Sequence, residues 1–262
     1  MTPRFLYLAA LACAASAPVS AAAPIDTDGP DYVDSSEAVG KNRFQIEQDA
    51  ISERDRRNAQ LCRTVSAPSL IRYGIGETLE LRLTGDIHRR ETTASRDVNT
   101  TIEGHGDLGM GVKWHSQDRD PSVNLPAVSW IFQLDTPSGS QDFRGRGLRP
   151  SLRSVVTWDL AQQYSLALMP GVGYDTRADG HRFSSALLGI NIGKRMSEHL
   201  RIFAESSVAQ IARAENGGVV SAWNLGAAFL LSNDWQFGGR FAFAANRNSP
   251  SNAVFIEIAG RF

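Results

Sequence analysis

From Asn42 to Phe262 apolar and polar residues alternate in short stretches instead of recurring at helical spacing. Alternation is the pattern of a strand with one face against an apolar medium and the other against a polar one. Between Asn252 and Phe262 the residues Val254, Ile256, Ile258, Gly260 and Phe262 share one face, and Phe255, Glu257, Ala259 and Arg261 the other. Leu79, Leu81, Leu83 and Ile87 alternate with Glu80, Arg82, Thr84, Asp86 and His88. Leu108, Met110, Val112 and Trp114 alternate with Asp107, Gly109, Gly111, Lys113 and His115. Val128, Trp130, Phe132 and Leu134 lie opposite Ser129, Gln133 and Asp135, and Leu152, Val156, Trp158 and Leu160 opposite Arg153, Thr157 and Asp159. Fainter alternation runs over Arg43 to Ala50, Thr64 to Tyr73, Arg182 to Gly193 and Leu200 to Gln210, and Pro170 inside the stretch from Tyr164 to Tyr174 predicts a bulge.

Counted at the length a tilted membrane-spanning strand needs, there are about twelve such segments. Their connections alternate too. Gly74 to Glu77, Ala161 to Gln163, Met196 to His199 and Ser232 to Asp234 are short, whereas Arg89 to Glu103, Thr136 to Arg149, Asp175 to His181, Ala212 to Gly218 and Asn246 to Asn252 are longer and polar. Short turns at one end and long loops at the other, with Tyr73, Trp114, Trp158, Tyr164 and Trp235 beside the short turns, predict an all-β, transmembrane antiparallel β-barrel of about twelve strands. A turn over Gly74 to Thr78 predicts Tyr73 opposite Leu79 and an ion pair between Arg72 and Glu80 on the lumen side. A Phe at position 262 fits an interfacial anchor and an assembly signal, which makes the barrel-assembly machinery an expected partner.

The segment before the barrel changes the picture. Arg4, the apolar run Phe5 to Ala15 and the small residues Val19 to Ala23 read as a secretory signal over 1–22, cleaved between Ala21 and Pro24. A lipoprotein reading through Cys13 competes, but Ala10-Leu11-Ala12 is a poor match to the motif it needs. The chain has 2 cysteines, and loss of Cys13 leaves Cys62 without an intrachain partner. Residues 23–41 are acidic and aperiodic, an extended periplasmic segment, solvated or against the lumen, that precedes a barrel over 42–262. Asp26, Asp28, Asp31 and Asp34 within it match no known metal-loop spacing.

With a net charge of -1 the chain has no electrostatic footprint for nucleic acid. The expected partners are outer-membrane lipids, lipopolysaccharide touching the basic stretch Arg144 to Arg149, and a small-molecule solute. Arg72, Glu80, Arg82, Asp86, Lys113, Asp135, Arg153, Asp159, Arg201, Glu205, Arg240, Glu257 and Arg261 fall in the lumen phase, where they either brace one another or line a narrow path. Glu47 and Asp49 share that phase. No G-x-S-x-G or H-E-x-x-H occurs, no cofactor or metal is expected, and His88, His105 and His115 read as polar wall residues.

The acidic entry Pro24 to Tyr32, the run Leu70 to Ile75 followed by Leu79 to Arg82, Gly106 to Gly109 with Val112-Lys113-Trp114, and Leu134 to Gly139 together resemble the outer-membrane proteins grouped under the meta-pathway of phenol degradation. The resemblance implies an outer-membrane barrel of transporter type and carries no site residues with it. The reading is a narrow channel or uptake protein for small, in part aromatic, molecules in the bacterial outer membrane. A non-conducting structural barrel and, behind it, an outer-membrane enzyme are the alternatives.

Overall fold

The computed structural model describes residues 23–57, 60–95, 99–177 and 179–262, and for Arg57 the backbone alone. The signal expected over 1–22 lies outside the described residues. Thirteen strands form one antiparallel sheet: β1 (Phe44–Arg57), β2 (Gln60–Gly74), β3 (Leu79–Ala94), β4 (Asn99–Gly104), β5 (Leu108–Gln117), β6 (Ala127–Asp135), β7 (Arg149–Asp159), β8 (Tyr164–Thr176), β9 (Arg182–Arg195), β10 (Leu200–Ile211), β11 (Val220–Ser232), β12 (Trp235–Ala244) and β13 (Asn252–Arg261). β1 pairs with β13, which closes the sheet on itself. β4 lies against the upper half of β3 and β5 against its lower half, so they share one position and the wall has twelve.

The burial pattern is inverted relative to a water-soluble protein. Leu81, Leu83, Met110, Phe132, Val254, Ile256 and Ile258 face outwards, while Arg72, Glu80, Lys113 and Glu257 are buried inside. Closure removes the sheet edges, and an apolar exterior around a polar lumen is the arrangement a bilayer requires of a barrel. Trp114 lies opposite Leu79 on one side and Trp130 on the other, which puts Trp130 in the same aromatic belt near the short turns. Trp235 meets Phe262 edge to face at 5.8 Å, and Phe262 exchanges both backbone hydrogen bonds with Phe44.

Four details differ from the sequence reading. Tyr73 lies opposite Leu81 and Arg72 opposite Arg82, a register two residues away from the expected one. A shift of two keeps each side chain on its face, so Arg72 still reaches Glu80, diagonally, with Nε 2.8 Å from Oε1. Pro170 makes no bulge: Arg153 pairs with Gly171 and Val156 with Leu168 in one continuous register, and the ladder is only interrupted where proline has no N–H to give. β1 and β2 run on to Arg57 and from Gln60, well past the expected Ala50 and Thr64. The expected loop from Arg89 to Glu103 is largely a hairpin, with Arg89 opposite Gly104 and Ala94 opposite Asn99.

Candidate functional site: a seated acidic segment and the vestibule above it

Residues 23–41 enter at the short-turn end and fold up inside the barrel. Arg261 Nη2 donates to the carbonyl of Ala23 at 2.7 Å, and the Ile25 N–H donates to the carbonyl of Asn233 at 2.7 Å. Deeper in, Asp28 accepts from Lys113 Nζ at 2.6 Å and from Arg82, and lies 3.6 Å from Arg72. Arg72 donates to both oxygens of Glu80, at 2.8 and 3.0 Å, to Glu47 at 3.0 Å, and to the carbonyls of Asp26 and Glu37 at 3.0 and 2.7 Å. Three cations thus meet Asp28, Glu47 and Glu80, and the cluster is neutral only with the segment in place. A buried charge is tolerated when paired and hydrogen-bonded on every side.

Wall carboxylates also hold the backbone of the segment. Glu47 accepts from the N–H groups of Asp28 and Gly29 at 2.9 and 3.2 Å, Glu80 from Val39 at 2.9 Å, and Glu205 from Tyr32 and Val33 at 2.9 Å each. Arg201 grips Asp31 through two bonds of 2.8 and 2.9 Å, and Arg153 meets Asp34 at 2.8 Å. A small apolar cluster completes the seat, where Tyr32 and Val33 pack on Ile131, Val155 and Met169. Two glycines let the segment approach. A Cβ on Gly189 would lie 2.5 Å from Val33 Cγ2, and one on Gly238 2.6 Å from Pro30 Cγ.

At the short-turn rim, Arg119 bridges Glu37 and Asp159, the latter at 2.9 Å. Burial pulls the Arg119 guanidinium down, but the hydrogen bond and charge of Glu37 with the charge of Asp159 outweigh it and hold it above its ordinary value. Asp159 is therefore exposed at the rim and not deep in the wall. Arg261 is also a rim residue, bonded to Asp234 at 2.8 Å. Arg240 lies inside, 3.7 Å over the ring of Phe255. His115 joins the seat through the Ser36 carbonyl at 2.7 Å, whereas His88 is exposed near Glu103 at the loop end, so the histidines do not converge.

Above the segment a cavity of about 600 Å³ rises to Phe143 and Arg149 at the loop end. Its floor is Asp28, Gly29, Asp31 and Asp34, with Glu47, Asp49 and Glu257, and its walls include Asp86, Asp107, Asp135, Arg82, Arg89 and Arg153. A second cavity of about 140 Å³ lies between Tyr32, Phe255, Ala209, Ala222, Ala242 and Ala253. Charge alternation in the strands picked out the wall ions; the backbone-binding role of Glu47 and Glu205, and the two glycines, leave no periodic trace in the sequence.

A family model described as "Putative MetA-pathway of phenol degradation" matches residues 27–258. Among solved structures, the COG4313 outer membrane channel of Pseudomonas putida F1 superposes with a TM-score of 0.64 at 11% identity, over 87% of this chain and 98% of that one. The translocator domain of the autotransporter NalP of Neisseria meningitidis gives 0.56 at 14% identity, over 85% and 89%. The β domain of the Bordetella autotransporter BrkA gives 0.56 at 11% identity, over 83% and 98%. At these identities the likeness is one of fold, an outer-membrane barrel. A comparison with curated proteins finds no match.

Proposed function

We propose that this chain, which belongs to the family described as the MetA-pathway of phenol degradation, is an outer-membrane channel for small molecules whose conductance is set by its own N-terminal segment. The observation that carries this reading is the vestibule of about 600 Å³ whose floor is residues 28–34 of that segment. A solute entering from the loop end meets a polar chamber and then a floor held by ion pairs, so passage requires that floor to move. For an aromatic solute the support is the smaller cavity of about 140 Å³, where Tyr32, Phe255 and four alanines offer apolar surface beside the polar Glu53, Asn224 and Arg240. Lipid and lipopolysaccharide contact falls to the outward apolar belt and the basic loop from Arg144 to Arg149.

Planar-bilayer conductance and liposome swelling test the reading, with the mature chain compared with one lacking residues 23–40. The intact chain is expected to give small currents and the shortened chain larger ones. Porin-sized currents from the intact chain overturn the gating, and no current from either chain favours the second reading, a structural barrel, for which the dense pairing around Asp28 speaks.

A further inference from the structure

Among the described residues, Glu257 is a wall carboxylate at the vestibule floor that meets no partner. It is 1% exposed, and neither carboxylate oxygen accepts a hydrogen bond. Its neighbour in the sheet is another carboxylate, since Asp49 on β1 lies directly opposite Glu257 on β13 and both lumen-phase side chains line the vestibule. Like charges at directly opposed positions are destabilising in a sheet. Glu47 on the wall and Asp31 and Asp28 of the segment line the same floor. These three are occupied: Glu47 by Arg72, Asp31 by Arg201, Asp28 by Arg82 and Lys113. Arg240, on the neighbouring strand β12, is stacked on Phe255 and lies 3.9 Å from Glu205. Asp49 and Glu257 therefore face one another with no ion pair to either among the described residues, at a place where the floor of the vestibule lies against the wall.

We infer that Asp49 and Glu257 form a binding site for a small cation, an alkali ion with part of its water or an ammonium group, at the vestibule floor beside Gly29 of the acidic segment. Gly29 is in contact with Glu257, since a Cβ there would meet its carboxylate at 1.9 Å. Such a cation supplies the positive charge this corner lacks, and it joins the wall to the segment where direct contact would set carboxylate against carboxylate. The described residues contain no set of three or more His, Cys, Asp or Glu side chains arranged to hold a metal ion. A singly charged guest that brings its own water or N–H donors fits two carboxylates better than a fully chelated divalent ion.

The test measures binding through stability, so it does not depend on whether the barrel conducts. The full mature chain, folded in detergent, is titrated at constant ionic strength with potassium chloride, with methylammonium chloride, and with tetraethylammonium chloride, which is bulky and has no N–H. Potassium or methylammonium is expected to raise the unfolding midpoint saturably, by about 3 °C at ten times the dissociation constant, and tetraethylammonium to leave it unchanged. Whichever of the two acts identifies the kind of guest. Glu257→Gln and Asp49→Asn are each expected to abolish the shift, and either variant alone suffices if the other fails to fold. No saturable shift with either cation, or a full shift in a folded Glu257→Gln or Asp49→Asn chain, overturns the site.

Discussion

Asp28→Asn removes one charge from the tightest part of the seat while keeping the shape of the side chain. In the native chain Arg72, Arg82 and Lys113 face Asp28, Glu47 and Glu80, and all six are buried. Neutralising Asp28 leaves three cations against two anions. Arg72 keeps its paired bonds to Glu80 and its bond to Glu47, but Lys113 loses the negative charge 2.6 Å away and keeps Glu80 at 3.9 Å and the Glu37 carbonyl at 3.4 Å. Breaking a buried pair by removing one partner costs about 3 kcal/mol at the low end of the usual range. The penalty applies only while the segment is seated, because unseating it admits water to the cluster. A change of that size raises the unseated fraction about 150-fold. The fraction is read by placing a cysteine at Ser36, which is 2% exposed, in a Cys62→Ser background and timing its reaction with a maleimide. Asn at position 28 is expected to speed labelling by about two orders of magnitude, in line with that population change. A rate within about threefold of the parent, from a barrel that is still heat-modifiable, would refute the claim that Asp28 holds the segment in place.

The remaining expectations can be checked on the same preparations. Gly238→Val puts a side chain where Pro30 lies and should increase bilayer conductance, whereas the same change at Gly239, whose close neighbour is the Phe255 carbonyl of the wall, should impair barrel assembly instead. Deleting Phe262 removes the edge-to-face contact with Trp235 and the two backbone bonds to Phe44, and should reduce the heat-modifiable form recovered from outer membranes.

The barrel was legible because a bilayer enforces one rule on every strand: Leu81, Leu83, Met110 and Ile256 must face lipid, so period two appears wherever lipid is present. Where lipid ends the signal ends as well. Ser52 to Arg56 and Arg90 to Thr93 extend their strands with polar residues on both faces, and Gln60 to Arg63 and Asn99 to Glu103 hold a single large apolar residue each, Leu61 and Ile102, too few to show a period, so the sequence reading placed strand ends or a loop there. Register is a matter of turn geometry, which alternation does not encode, hence the offset of two between Tyr73 and Leu81. The acidic segment was readable as an extended stretch, solvated or against the lumen, but not its seat. Its partners come from distant strands, as with Tyr32 and Glu205, separated by 173 positions, and an aperiodic chain carries no mark of depth.

The clasp of Arg261 on the Ala23 carbonyl spans 238 positions of the chain, and it sets an order of events. The seat draws on β1, β2, β3, β5, β7, β10 and β13, so it is complete only when the ring has closed. Residues that precede the barrel in the chain are consequently among the last to find their place. While β13 is still searching for β1, the lumen is an open, charged trough with the acidic segment loose beside it. Completion of the wall and closure of the passage are then a single late step, and an unfinished barrel is a leaky one.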